Sequence, residues 1–129
     1  MKLLLDTHVM FWWLRDSPRL ASRTKALIAD NKADLIVSVA SFWELSIKAG
    51  LGKAPENGSK LYAEASRGGL RIVDLSEHHL ATLEVFPFLA EHKDPFDRLI
   101  LAQAIAEDAM LITGDRKMLG YDVRAFRAR

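Results

Sequence analysis

The 129-residue chain contains no cysteine. Disulfides, thiolate metal sites and a cysteine nucleophile are therefore excluded. Long apolar runs are also missing. The longest, Val9 to Leu14, has six residues, far short of the roughly 20 needed to cross a bilayer, so no membrane association is expected. The first residues enter a short leucine run that stops at Asp6, with no small-residue cleavage site, so no signal peptide is expected either. With the absence of cysteine, this suits a cytoplasmic protein. Nor does one sign of charge dominate: 18 Lys+Arg face 17 Asp+Glu, a formal net charge of +1. Low-complexity segments, internal repeats and an obvious linker are absent as well, so a single domain over residues 1–129 is expected.

Half of the residues are hydrophobic, enough for one core in a chain of this length. Lys2 to Asp6 reads as a buried strand and Thr7 to Asp16 as a helix interrupted by Ser17-Pro18. Leu20, Thr24, Leu27 and Ile28 recur at helical spacing, ending near Asn31. Leu35 to Val39 is apolar and β-branched, a second strand. Helices follow over Ser41–Leu51 and Ser59–Arg67, separated by a loop over residues 50–58 with three glycines and a proline. A short strand over Arg71–Leu75 precedes a helix over Ser76–Val85, stopped by Pro87. Pro95 to Asp108 is a strong helix and Ala109 to Thr113 the last clear strand, before a short polar and aromatic tail. Strands separated by helices pair in parallel through crossovers, so the chain is of the α/β class.

Four acids fall where such a sheet places a site, beyond the carboxyl ends of its strands. Asp6 ends the first strand. Glu44 lies in the first turn of the helix after the second. Asp97 lies in the first turn of the Pro95 helix, and Asp115 follows the last strand by two residues. Each also suits a helix start. Ser41-Phe42-Trp43-Glu44 has the form of a capping box, and Asp94-Pro95-Phe96-Asp97 that of an N-cap with proline at the first helical position. Asp6 and Asp115 suit caps of the segments that follow them. Gathered at one edge, the four would repel one another, and a hard divalent cation relieves that repulsion. Mg²⁺ accepts such oxygen ligands, polarises water and stabilises charge on a phosphoryl oxygen, which makes phosphodiester hydrolysis the natural reaction class. The histidines show no metal-binding spacing. His78 and His79 are adjacent and point to different faces of a helix, and His8 reads as a packed or solvent-facing residue.

Leu4-Leu5-Asp6-Thr7-His8 followed by Trp12-Trp13-Leu14 resembles the opening of PIN-domain ribonucleases, specifically the VapC-type toxins of type II toxin–antitoxin pairs. Ser41 to Lys48 with Gly50-Leu51-Gly52-Lys53 resembles the second acidic block of that family. His92 to Arg98 with Ala102-Gln103-Ala104 resembles the third, and Leu111-Ile112-Thr113-Gly114-Asp115 the fourth. The blocks occur in family order and span nearly the whole chain. The resemblance implies a PIN-like fold, a central mostly parallel sheet of four to five strands flanked by helices. It also implies Mg²⁺- or Mn²⁺-dependent endoribonuclease activity on RNA, neutralised by a cognate antitoxin, with a homodimer expected. By position, Asp6 and Asp97 match the principal metal ligands, and Glu44 and Asp115 the remaining acids of the site. Thr113 matches a supporting residue, and Asp94 reads as a cap or an outer acid. Met118 stands where many relatives carry an aromatic residue.

The expected mechanism has Asp6, Asp97 and Asp115 holding one or two ions, with Glu44 positioning a water or serving as a ligand. Lys48, Lys53, Arg98, Arg116, Lys117, Arg124, Arg127 and Arg129 are candidates to draw RNA phosphates toward the acids. The apolar run Val9–Leu14 surrounds more than half of a helix, which suggests an exposed face for a protein partner; the alternative is burial on two sides, with the Leu20–Ile28 helix covering it. Two other functions stay open: a Mg²⁺ phosphohydrolase of small esters, against which the missing Asp-x-Asp motif speaks (position 8 is His), and a non-catalytic RNA- or protein-binding module. The near-zero net charge also divides. Setting the four acids aside leaves 13 acids against 18 bases, a basic surround for an acidic pocket.

Overall fold

The computed structural model describes residues 1–54, 56–88 and 92–119 and the backbone of 125–127; of Lys117 and Leu119 only the backbone is described. The elements are β1 (Lys2–Leu5), α1 (Thr7–Leu14), α2 (Ser22–Ala29), β2 (Asp34–Ser38), α3 (Val39–Gly50) and α4 (Gly58–Arg67). They continue with β3 (Arg71–Val73), α5 (Glu77–Val85), α6 (Pro95–Ala106), β4 (Met110–Thr113), α7 (Arg116–Leu119) and β5 (Ala125–Arg127). The five strands form one sheet in the order β3-β2-β1-β4-β5, and every pairing is parallel.

The period-two pleat of the strands divides the core into two layers. Leu3, Leu5, Val37 and Ile112 point into a cluster with Met10 and Trp12 of α1, Ile28 of α2 and Leu61 of α4. Leu4, Ile36 and Leu111 point to the other face, against Leu99, Ile100 and Ala104 of α6. Burial on both faces explains why the strands read as continuous apolar runs.

Several boundaries differ from the sequence reading. Asp6 lies outside β1 and caps α1 instead. The first helix stops at Leu14, and Asp16 adopts a left-handed conformation at φ 48°. The helix read as starting at Ser41 begins at Val39, because Ser38 is the N-cap, its hydroxyl accepting from the Ala40 amide at 3.0 Å. The capping box expected at Ser41–Glu44 is therefore absent, and Glu44 lies in the second turn of α3 rather than the first. β5 occupies part of what read as a short polar and aromatic tail.

The apolar run Val9–Leu14 is not an exposed patch. Val9, Met10 and Trp12 are buried, and Phe11, Trp13 and Leu14 half-buried, packed with Leu20, Ile28 and Leu61. The alternative, burial on two sides, is the observed one. The exposed large apolar side chains include Trp43, Ile47 and Leu51 instead, spaced four apart along one face of α3 and into its C-cap.

Candidate active site

Strand order reverses its direction of growth between β1 and β4, and a parallel sheet opens a crevice there. The chain leaves β1 at Asp6 and β4 at Thr113, side by side. The Asp6 amide still donates to the Ile112 carbonyl at 3.1 Å. Asp6 is 5% exposed. One of its oxygens accepts from the Val9 amide at 2.9 Å, the α1 capping bond. The other accepts from the Thr113 hydroxyl. Thr113 is fully buried, and its oxygen also accepts from the Asp115 amide at 3.0 Å. One hydroxyl thus fixes Asp6 and the backbone that carries Asp115.

Asp97 arrives from the other side, in the first turn of α6. The start of that helix is built as the sequence indicates. Asp94 is the N-cap, accepting from the Phe96 amide at 2.9 Å and the Asp97 amide at 3.3 Å, with Pro95 at the first helical position. Asp97 is fixed in turn by His92, whose Nε2 lies 3.1 Å from Oδ2 of Asp97. His92 is buried, and its own carbonyl accepts from Arg98 Nε at 2.6 Å. Sequence reasoning assigned no role to His92; a histidine five residues before the acid of the third block was the available signal.

Glu44 reaches the same cavity from α3, paired with Lys48 Nζ at 3.2 Å. The starts of α1 and α3 are tied by the Thr7 and Ser41 hydroxyls, 2.8 Å apart. All four predicted acids, together with Asp94, line one cavity of about 460 Å³. His8 lines it too and is exposed, with its ring 6.0 Å from that of Trp12. Of the two adjacent histidines, His79 is buried and His78 exposed, as their positions on one helix require.

The electrostatics follow from burial and crowding. Desolvation pushes the Asp6 carboxyl above the usual aspartate range, against the bonds from Thr113 and Val9, and the charge of Asp97 adds to the rise. Asp97 is raised as well, chiefly by desolvation; His92 opposes this, and Asp94 and Asp115 add to it. These carboxylates feel one another across the cavity.

Among the described residues, no group of three or more histidine and acid side chains stands ready to hold a metal ion. The donor set nevertheless suits a hard cation. It offers carboxylate oxygens and no thiolate, two of the acids are destabilised as anions, and Mg²⁺ completes its shell with water where few ligands are given.

Of the predicted cations, Lys48 and Lys53 line the cavity. Arg98 does not; it is occupied by the His92 carbonyl and lies over the Phe88 ring at 5.1 Å. Arg116 is exposed away from the lining. The side chains of Lys117, Arg124, Arg127 and Arg129 lie outside the described residues. A cation that the sequence reading passed over, Arg19, lines the cavity.

The family model of the PIN domain matches residues 3–123. The chain belongs to the PIN-domain family. Within that family it is 30% identical to Ribonuclease VapC22 of Mycobacterium tuberculosis, over 90% of this chain and 88% of that protein. The PIN domain also shares its fold with chains of solved VapBC assemblies. It matches a chain of VapBC2 from Rickettsia felis, solved bound to a promoter DNA fragment, at TM-score 0.72, 21% identity and full coverage of both chains. A chain of DNA-bound VapBC from Salmonella typhimurium gives TM-score 0.68 at 16% identity, with 100% of this chain and 99% of that one covered. This PIN domain is thus a homologue of a VapC ribonuclease, and the fold expected from the sequence is the one observed. No helix among the described residues is long and apolar enough to cross a membrane.

Proposed function

We propose that this PIN domain, occupying residues 1–129, is a divalent-metal-dependent endoribonuclease that acts as the toxin of a toxin–antitoxin pair. The observation that carries the reading is the convergence of Asp6, Glu44, Asp97 and Asp115 on one cavity at the sheet's switch point, in a homologue of a named ribonuclease.

Asp6, Asp97 and Asp115 would hold Mg²⁺ or Mn²⁺. When bound, the ion supplies a lowered water pKa and neutralises charge at a scissile phosphate. Asp6 and Asp97 supply the negative charge that attracts the ion and, held rigidly by Thr113 and His92, lose little freedom on binding it. Glu44, paired with Lys48, would accept a hydrogen bond from the attacking water and orient it. Lys48 and Lys53 draw the RNA backbone toward a cavity whose acids alone would repel it.

An antitoxin partner is supported by the likeness to the VapBC assemblies. A homodimer is the proposed use of the exposed Trp43, Ile47 and Leu51 face, an apolar stripe that a second copy would remove from water.

The deciding experiment incubates purified protein with RNA and Mg²⁺, RNA and chelator, and a phosphatase substrate with Mg²⁺. RNA cleavage only in the first lane is expected. Ester hydrolysis without RNA cleavage, or cleavage undiminished in Asp6→Asn, overturns the reading.

A further inference from the structure

The cavity has more wall than the acids use. α1 and the turn after it contribute Phe11, Trp12 and Arg19, and the loop after α3 contributes Lys53. Lys48 is committed to Glu44. Neither the Arg19 guanidinium nor the Lys53 ammonium makes a hydrogen bond or ion pair with a described residue, which leaves two cations on the cavity wall with their charge unspent.

Both are anchored through the backbone. The Ser17 amide donates to the Trp12 carbonyl at 2.8 Å, and the Arg19 amide to the Ser17 hydroxyl at 3.2 Å. Leu20 then enters the core at 2% exposure, so the turn that carries Arg19 is fastened on both sides. Gly52 takes φ 69°, which suits glycine, and turns the chain so that the Lys53 amide donates to the Lys48 carbonyl at 2.8 Å. Each cation therefore projects from a fixed base.

Their position relative to the acids decides what they bind. α1 has eight residues and is about 12 Å long. Asp6 caps its start, while Arg19 follows its end. Arg19 and Lys53 line the same cavity as the acids but come from the turn after α1 and the loop after α3, segments that carry none of those acids, a placement that suits a neighbouring phosphate of the same strand. A planar guanidinium matches a phosphodiester through two parallel N–H bonds, and an ammonium serves as a point charge.

We propose that Arg19 and Lys53 form an accessory phosphate subsite, which holds the backbone of a single-stranded RNA beside the scissile linkage. This rests on the ribonuclease reading above, in which Lys53 already draws the RNA backbone, and adds Arg19 as its partner in a subsite that sets substrate affinity rather than chemistry. They bind and position; neither touches the reacting atoms.

The test uses full-length protein and a labelled single-stranded RNA oligonucleotide. Binding is measured by fluorescence anisotropy in the Asp6→Asn background across a salt series, and KM and kcat separately in the active protein. Arg19→Gln is expected to weaken binding about five- to tenfold and to reduce the slope of log affinity against log salt by about 0.7, one phosphate's share. KM rises and kcat holds. Lys53→Gln behaves alike. Arg19→Lys keeps the salt slope and recovers part of the affinity, which a merely structural role would not produce. Arg67→Gln, an equal charge loss on the exposed end of α4, leaves all of these unchanged. Unaltered affinity and salt slope in Arg19→Gln would overturn the subsite, as would a fall in kcat at constant KM. Absence of cleavage by the parent protein would instead remove the ribonuclease reading, while the binding series still reports on the subsite.

Discussion

Replacing Asp6 by asparagine should make the metal-free protein more stable while removing its activity. The side chain is 5% exposed, its carboxyl is raised by desolvation, and the charge of Asp97 opposes it further. The bonds from Val9 and Thr113 recover part of that cost. Asparagine keeps an oxygen for the Val9 amide, and its NH₂ can donate to the Thr113 hydroxyl, so the cap and the bridge survive without the buried charge. The expected gain is about 1–2 kcal/mol, the range that substitutions at strained functional sites commonly return. For a chain of this length, that corresponds to a rise of about 4–7 °C in melting temperature. Calorimetry at neutral pH in chelator measures it. Adding Mg²⁺ should invert the order. The parent gains about 2.7 kcal/mol at a hundredfold excess over Kd, and the variant much less. An Asp6→Asn protein that melts lower than the parent without metal would refute the reasoning and make Asp6 a structural cap first.

Other positions give sharper structural tests. A Cβ on Gly58 would collide with the Phe42 carbonyl and Ser46, whereas one on Gly50 meets open space. Gly58→Ala should therefore cost about 1–3 kcal/mol in denaturant unfolding and Gly50→Ala almost nothing. Glu107 is held below the usual glutamate range by the bond from His79, with Lys2 assisting. A depressed carboxyl stabilises above its unfolded pKa and loses that contribution as pH falls through the folded value. Glu107→Gln should accordingly cost about 1 kcal/mol at pH 7, with the two melting curves converging below about pH 4. His92→Gln, which preserves a donor toward Asp97, should retain more activity than His92→Ala and restore its Mg²⁺ dependence, read from initial rates across a metal titration. Ile47→Glu should shift the mass seen by light scattering from dimer to monomer without moving the melting temperature by more than a few degrees.

The sheet was legible because burial on both faces writes itself as short all-apolar strands: Leu3-Leu4-Leu5 and Leu111-Ile112 admit little else. The start of α6 was legible because Asp94, Pro95 and Asp97 each encode one part of a helix beginning. Glu44 was misplaced by a turn because two serines compete as cap. The winner, Ser38, lies inside what reads as a β-branched strand, and the chain passes from β2 to α3 without a loop. The run Val9–Leu14 misled because a helix covered by both sheet and neighbouring helices has the same composition as one with a bare apolar face. Arg19 stands on a cavity wall that no local period records, whereas His92 was signalled only by its place five residues before Asp97. β5 is a three-residue edge strand, too short for a pattern to emerge.

The Asp6–Thr113 bridge also orders events in time. Asp6 leaves the ribosome more than a hundred residues before Thr113 and Asp115. Until β4 docks beside β1, Asp6 has no hydroxyl to orient it and Asp115 has no fixed backbone. A chain made only as far as α6 therefore carries three of the four acids, Asp6, Glu44 and Asp97, without a complete site. For the proposed ribonuclease, that is a built-in delay: the activity arises only once β4 and the residues after it have been made and docked.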